Sequence, residues 1–254
     1  MANAEAPAYS TWDDFDTISY LTHNYSKRIF PEDHEIVRII AASIRERNHL
    51  MAGLTHVADI GTGPNLYPAL ILSSLVAADG TIDLVDKLPQ NRQYLSQILT
   101  AAQDGNLISD WLKWESLVKA CGLSGASLKT IGDLAQVRDG DVFELGKQIY
   151  DGITSFFLTC SISPDFRVFQ FATEKLLRSV RSGGLVICAH ILGSRHYSAG
   201  NQTKFPSTFL QLSDVQSVYE PLGSFKYKLV GHETPSDAIR EGYMGMAVVI
   251  GQVT

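Results

Sequence analysis

Apolar positions along the chain change period several times, and the changes mark its elements. Ile36, Ile39, Ile40 and Ile44 recur at helical spacing behind Pro31-Glu32-Asp33, whose proline and acids suit a first turn; they predict a helix ending near Asn48. A short buried strand follows in "THVADIG", then a helix in "PNLYPALILSSLVAA", where Pro68 falls near the start and costs least. "GTIDLVD" reads as a second strand and residues 89–102 as a helix. "LISDWLKWESLVKAC" keeps an amphipathic helical pattern. "LAQVRDGDV" and "YDGITSFFLTCS" hold a third and a fourth strand. "SPDFRVFQFATEKLLRSVRSGG" has the Ser-Pro-acid start and Gly-Gly stop of a helix, and "LVICAHI" is a fifth strand. "SDVQSVYEPLG" is helical, and "KYKLVGHE" and "YMGMAVVIG" supply the last two strands.

Strand and helix thus alternate through five strands before two strands close the chain. The pattern predicts an α/β fold: a seven-stranded, mainly parallel sheet of Rossmann-like order with helices on both faces. With no internal repeat, low-complexity tract or linker, residues 1–254 read as one domain. Residues 1–50 form an N-terminal helical cap, which opens with a flexible tail over residues 1–10, and residues 51–254 form the core.

Composition narrows the partners. The apolar share of 45% supports a large core, whereas a net charge of −6 without any Lys/Arg cluster argues against nucleic acid. No run of 18 apolar residues is present, so no membrane span is expected. The start, "MANAEAPAYSTWDDFD", lacks the basic and apolar regions of a secretory signal. Cys121, Cys160 and Cys188 are odd in number and far apart, which suggests neither disulfides nor zinc; a cytoplasmic setting and no metal are expected.

The candidate chemistry gathers at strand ends, where ligands of parallel sheets bind. Gly61 and Gly63 end the first strand, and Pro64 is placed to open the next helix; glycine there permits positive φ and close backbone approach. Asp86 ends the second strand, 25 residues after Gly61, where a carboxylate can accept both hydroxyls of a ribose. Asp141 follows the third strand, where it could take the amine of adenine. In order, the three suggest an adenosyl ligand. A dinucleotide would want a third glycine where Leu66 stands, so the turn favours S-adenosylmethionine over NAD.

The same residues carry a family resemblance. "DIGTGPNLY" resembles the glycine motif of the nicotinamide, phenylethanolamine and indolethylamine N-methyltransferases, and "YLTHNY", "VDKLPQN", "DGDV" and "HYSAGNQTKF" resemble further motifs of that family in the same order. The resemblance runs from about residue 12 to the end and implies a class I S-adenosylmethionine-dependent methyltransferase with S-adenosylhomocysteine as product. It assigns the cofactor shell to Tyr20, Tyr25, Gly61, Thr62, Gly63, Tyr67, Asp86, Asn91, Asp141 and Val142, with Phe157 beside them. Tyr67 packing the first helix on the sheet is the alternative at that position.

The resemblance thins at the acceptor. Where the amine methyltransferases place an acid after the fifth strand, this chain has His190, the candidate for acceptor contact and proton removal; a histidine held by the core is the alternative. A second family acid corresponds to Asp237, one residue out of step, with Glu233 and Glu241 nearby. Phe156, Phe157 and Leu158 end the fourth strand and suit a flat apolar ring. Trp12, Phe15, Phe205 and Phe209 would line the lid by their family positions, with His196 and Tyr197 in the loop after the fifth strand. The expected activity is methyl transfer to a small aromatic nitrogen compound in specialised metabolism. Carbon methylation of an electron-rich indole, a non-catalytic adenosyl-binding scaffold and a nicotinamide-dependent reductase are the alternatives.

Overall fold

The computed structural model describes residues 9–46, 53–106, 109–198, 203–233 and 239–254. The chain enters through a 3-10 turn (Trp12–Asp14), helix α1 (Thr17–Leu21), a π-helical turn (Thr22–Ser26) and helix α2 (Pro31–Glu46). Asp16 starts α1 by accepting the N–H groups of Ile18 and Ser19, as an N-cap aspartate does.

Seven strands form the main sheet: β1 (Leu54–Ile60), β2 (Val76–Asp86), β3 (Ala135–Asp139), β4 (Tyr150–Phe156), β5 (Val180–Leu192), β8 (Gly223–Val230) and β9 (Gly245–Val253). Two short strands, β6 (His196–Tyr197) and β7 (Phe205–Pro206), pair as a separate ribbon. The order across the sheet is β3-β2-β1-β4-β5-β9-β8. Neighbours from β3 to β5 run parallel, and β9 pairs antiparallel with both β5 and β8. The expected seven-stranded, mainly parallel sheet is what the chain forms.

The strand order reverses at β1, which has β2 on one side and β4 on the other. Their carboxyl ends therefore splay apart and leave a crevice, the switch point of an open α/β sheet. Helices α2, α3 (Tyr67–Ser73), α4 (Pro89–Gln103), α5 (Ser109–Ala120) and α6 (Leu128–Leu134) pack with one another over one face. Helices α7 (Phe166–Arg178) and α8 (Leu212–Tyr219) pack together over the other. Every residue of α3 is buried, and Tyr67 stacks on Trp114 of α5 with centroids 4.6 Å apart. No helix among the described residues is long and apolar enough to cross a membrane.

Boundaries differ from the sequence reading in physically clear ways. The helix expected from Pro64 to Ala78 is only α3: its entry is spent on a turn, and Val76 already pairs with Leu54 in the sheet. The Gly-Gly expected to stop α7 lies inside β5, because Ser179 caps the helix carbonyls first and Val180 pairs with Tyr150. Helix α6 is an addition; Ser127 caps it through the N–H groups of Lys129 and Thr130. The short 3-10 turns and the β6–β7 ribbon are likewise additions.

Candidate functional site

The crevice is built first by the turn after β1. Gly61 (φ 70°) and Gly63 (φ 56°) both adopt left-handed backbone, which glycine alone enters without strain. Their surroundings differ. A Cβ on Gly61 would fall 2.6 Å from the methyl carbons of Leu158, so this glycine makes room for a neighbouring side chain. A Cβ on Gly63 would meet nothing within 4 Å, so this glycine opens onto the cleft. Pro64 sits in the turn rather than opening the helix, and α3 begins at Tyr67 after the Asn65 side chain has accepted the Tyr67 N–H at 3.1 Å.

Asp86 at the end of β2 fixes the turn from the side. Its carboxylate accepts the Gly63 N–H at 2.7 Å, the Leu88 N–H at 2.8 Å and the Asn91 amide at 3.2 Å. Burial raises its pKa, and these donors oppose the rise. Asn91 in turn accepts the Thr17 hydroxyl at 2.7 Å, which ties α1 to the floor of the cleft. At the β3 end, Asp141 caps the following 3-10 turn through the Phe143 N–H and meets Lys87 at 2.7 Å. Burial pulls its pKa upward, but the Lys87 ammonium and the Phe143 N–H outweigh that and hold it below the usual range.

The roof is aromatic. Trp12 stacks on Phe205 with centroids 5.1 Å apart, Phe15 meets the edge of the same ring, and Tyr20 leans on Tyr25 and Tyr197. Gln90 bonds the carbonyls of Trp12 and Phe15, which latches this segment to α4. At the β4 end, Phe157 holds a positive φ of 62°, a position strained for a side chain of its size and secured by its N–H on the Ala189 carbonyl at 2.7 Å.

Most of the predicted residues meet here. Trp12, Phe15, Tyr20, Tyr25, Gly61, Thr62, Gly63, Asp86, Asn91, Asp141, Val142, Phe156, Phe157, Leu158 and Tyr197 all line one cleft. Four predicted positions do not. Tyr67 is fully buried and donates its hydroxyl to Asp33 at 3.1 Å, a packing role. Phe205 backs the aromatic wall from behind without lining the cleft. Phe209 is partly exposed and carries the Arg195 guanidinium on its ring. His190 is the fourth and needs correction: it lies inside β5, which continues to Leu192, and its side chain packs against α7 and α8. There it bonds the Tyr219 hydroxyl at 2.8 Å and meets the edge of Phe169. A side chain so placed touches nothing in the cleft. Asp237, the remaining assignment, lies outside the described residues. Of the residues named beside these, His196 borders an adjoining hollow and bonds Glu241 at 3.0 Å.

Burial lowers the His190 pKa from 6.5 to about 3. Its neutral form therefore supports the fold above pH 6.5, and that support is lost as pH falls through 6.5 toward 3. His190→Asn should flatten the acid side of the stability curve over this window and leave ligand affinity at the cleft unchanged, as read by unfolding midpoints against pH and by calorimetry.

Several cleft residues escaped the sequence reading, Asp59 and Arg240 among them. Asp59, within the apolar β1, accepts the Thr154 hydroxyl at 2.7 Å through one oxygen, while its buried second oxygen has no partner. Burial lifts its pKa from 3.8 to about 7. A carboxylate inside a buried strand was the available signal. Arg240, between β8 and β9, reaches back over the Tyr197 ring at 4.4 Å and donates to the Ser161 hydroxyl at 3.3 Å. No local pattern marked it.

The model of the NNMT/PNMT/TEMT family matches residues 5–229. Among curated proteins no sequence relative is found. Solved structures share the fold at low identity. The Burkholderia thailandensis 1,6-didemethyltoxoflavin N1-methyltransferase is 14% identical with a TM-score of 0.53, over 100% of this chain and 94% of its own. The N-methyltransferase NodS of Bradyrhizobium japonicum is 8% identical with a TM-score of 0.52, over 88% of each chain. The [4+2]-cyclase SpnF is 12% identical with a TM-score of 0.52, over 85% of this chain and 81% of its own.

Proposed function

Because the chain belongs to the NNMT/PNMT/TEMT family of S-adenosylmethionine-dependent methyltransferases, we propose that it methylates a small aromatic nitrogen compound and releases S-adenosylhomocysteine. One observation carries the assignment of the site. The orphaned Asp59 oxygen, the open face of Gly63 and the Asp86 carboxylate border a single cleft roofed by aromatic rings. These groups fit the donor. Asp59 offers an unpaired oxygen to the ammonium of the methionine end. Gly63 lets backbone approach that end, Asp86 offers lone pairs to the ribose hydroxyls, and Asp141 with Val142 borders the adenine end.

When bound, the donor supplies a methyl group already activated on a sulfonium, so the protein's part is alignment and exclusion of water. Phe156, Phe157 and Leu158 border the cleft at the β4 end, and Trp12, Phe15, Tyr20 and Tyr197 present flat apolar surface to an acceptor ring. Burial keeps the Tyr197 phenol protonated, so it serves as a donor or a wall and not as a base. A nitrogen that arrives neutral needs no base, and this favours nitrogen methylation. Carbon methylation of an indole is the second reading, favoured by the aromatic wall; His190 takes no part in it.

Asp59 gives a thermodynamic signature. Its folded pKa lies above the unfolded value, so its contribution to stability is full below 3.8 and is lost as pH rises through about 7. An ammonium bound beside it favours the ionised form. Binding of S-adenosylhomocysteine at pH 6 should therefore release protons, measured by calorimetry in buffers of different ionisation enthalpy, and Asp59→Asn should abolish the release.

The activity is tested by incubating the protein with S-adenosylmethionine and a panel of indoles and aromatic amines, with products read by mass spectrometry. Methylated nitrogen is the expected result. Donor binding with no product from any member would indicate a scaffold, and no donor binding with tight NADH binding would indicate a reductase.

A further inference from the structure

We infer that Arg240 binds a carboxylate on the acceptor, so that the molecule methylated is a flat aromatic acid rather than a protonated amine. The inference rests on reading the cleft as a methyl-transfer site and adds the charge of what it accepts.

The carboxylates of the cleft and Arg240 stand at different ends, and the other cation lining the cleft, Lys87, is held by Asp141 at 2.7 Å. The carboxylates, Asp59, Asp86 and Asp141, stand at or just beyond the carboxyl ends of β1, β2 and β3. The other end is walled by Tyr20, Phe157, Ser161 and Tyr197, and the charged group lining it is Arg240. Its guanidinium is braced rather than neutralised: the Tyr197 ring lies under it at 4.4 Å and the Ser161 hydroxyl accepts from it at 3.3 Å. Among the described residues no carboxylate lies within ion-pair distance of it. Its sequence neighbour Glu241 is engaged by His196 at 3.0 Å. The hollow that Arg240 shares with Lys204 on the solvent side also holds Glu241, which His196 engages. Asp33, on the hollow behind Phe157, accepts the Tyr67 hydroxyl and makes no ion pair with Arg240.

A guanidinium stacked on an aromatic ring keeps its outer N–H fork free, and that fork matches a carboxylate in two parallel bonds. A protonated amine at the same place would meet a like charge. Bonds from Arg240 would also occupy the lone pairs of the carboxylate, which makes it an anchor and leaves the ring or its nitrogen to react.

The test measures binding of indole-3-acetate, indole-3-acetamide and tryptamine to the protein saturated with S-adenosylhomocysteine. Indole-3-acetate should bind tightest and tryptamine weakest. Arg240→Met should weaken indole-3-acetate by about tenfold or more, as loss of a charged hydrogen-bonding partner does, and leave tryptamine no weaker. Arg240→Lys should recover part of the loss. Affinity for S-adenosylhomocysteine itself should be unchanged in both variants, which also reports that they fold. If the wild-type protein fails to bind S-adenosylhomocysteine, the reading of the cleft falls and the inference with it. If it binds, yet tryptamine is held as tightly as indole-3-acetate, or no probe is held, or Arg240→Met changes nothing, the acidic acceptor alone is overturned.

Discussion

Asp86→Ala should reduce affinity for S-adenosylhomocysteine by at least about tenfold, corresponding to the roughly 1.5–3 kcal/mol carried by hydrogen bonds to a charged group. Two losses coincide in this variant. The ribose hydroxyls lose the acceptor that borders the cleft, and the glycine turn loses the bond that holds the Gly63 N–H at 2.7 Å. Leu88 N–H and the Asn91 amide are released as well, and Asn91 links the turn to Thr17 of the cap. Leaving buried donors unpaired costs about 1–3 kcal/mol each, so the melting temperature should fall too. Asp86→Asn separates the effects, because its amide oxygen retains part of the acceptor function and the volume is kept. Calorimetry with S-adenosylhomocysteine, beside thermal unfolding of both variants, checks the result. Affinity of Asp86→Ala within about twofold of the wild type would remove Asp86 from the ribose site.

The legible part of this fold lay in runs of local pattern. "VADIG" and "IDLVD" are apolar because β1 and β2 are interior parallel strands buried on both faces, and a strand's end is where its glycine or acid stands. That is why Gly61, Gly63, Asp86 and Asp141 could be placed on one crevice from sequence. Facts set by distant partners were not legible. Leu158 against Gly61, and Arg240 against Ser161 and Tyr197, join segments about a hundred or fewer residues apart with no periodic trace. His190 shows the sharper hazard. A strand alternates faces at every residue, so a place near the end of β5 does not by itself say whether a side chain turns to the cleft or, as His190 does, to Tyr219 and Phe169 in the core. Helix α6 was missed because seven residues make a weak periodic signal, although its Ser127 cap was in plain view.

The two glycines of the turn should fail in opposite ways when each is changed to alanine. Both hold left-handed backbone, which costs an alanine about 1–2 kcal/mol, so both variants start from a similar loss of stability. At Gly61 the new methyl group would lie 2.6 Å from two carbons of Leu158, closer than carbon atoms approach, and Leu158 would have to move. The thermal midpoint should therefore fall further than at Gly63, and Gly61→Ala combined with Leu158→Ala should recover part of the packing loss. At Gly63 the methyl group meets no protein atom within 4 Å. It enters the space where the methionine end of the donor would come closest to backbone. Gly63→Ala should therefore melt only a few degrees below the wild type while affinity for S-adenosylhomocysteine falls about tenfold or more, the scale on which an added methyl group disturbs a close-packed contact. A Gly63→Ala protein that binds S-adenosylhomocysteine as tightly as the wild type would show that no ligand touches this turn, whatever Asp86 does beside it.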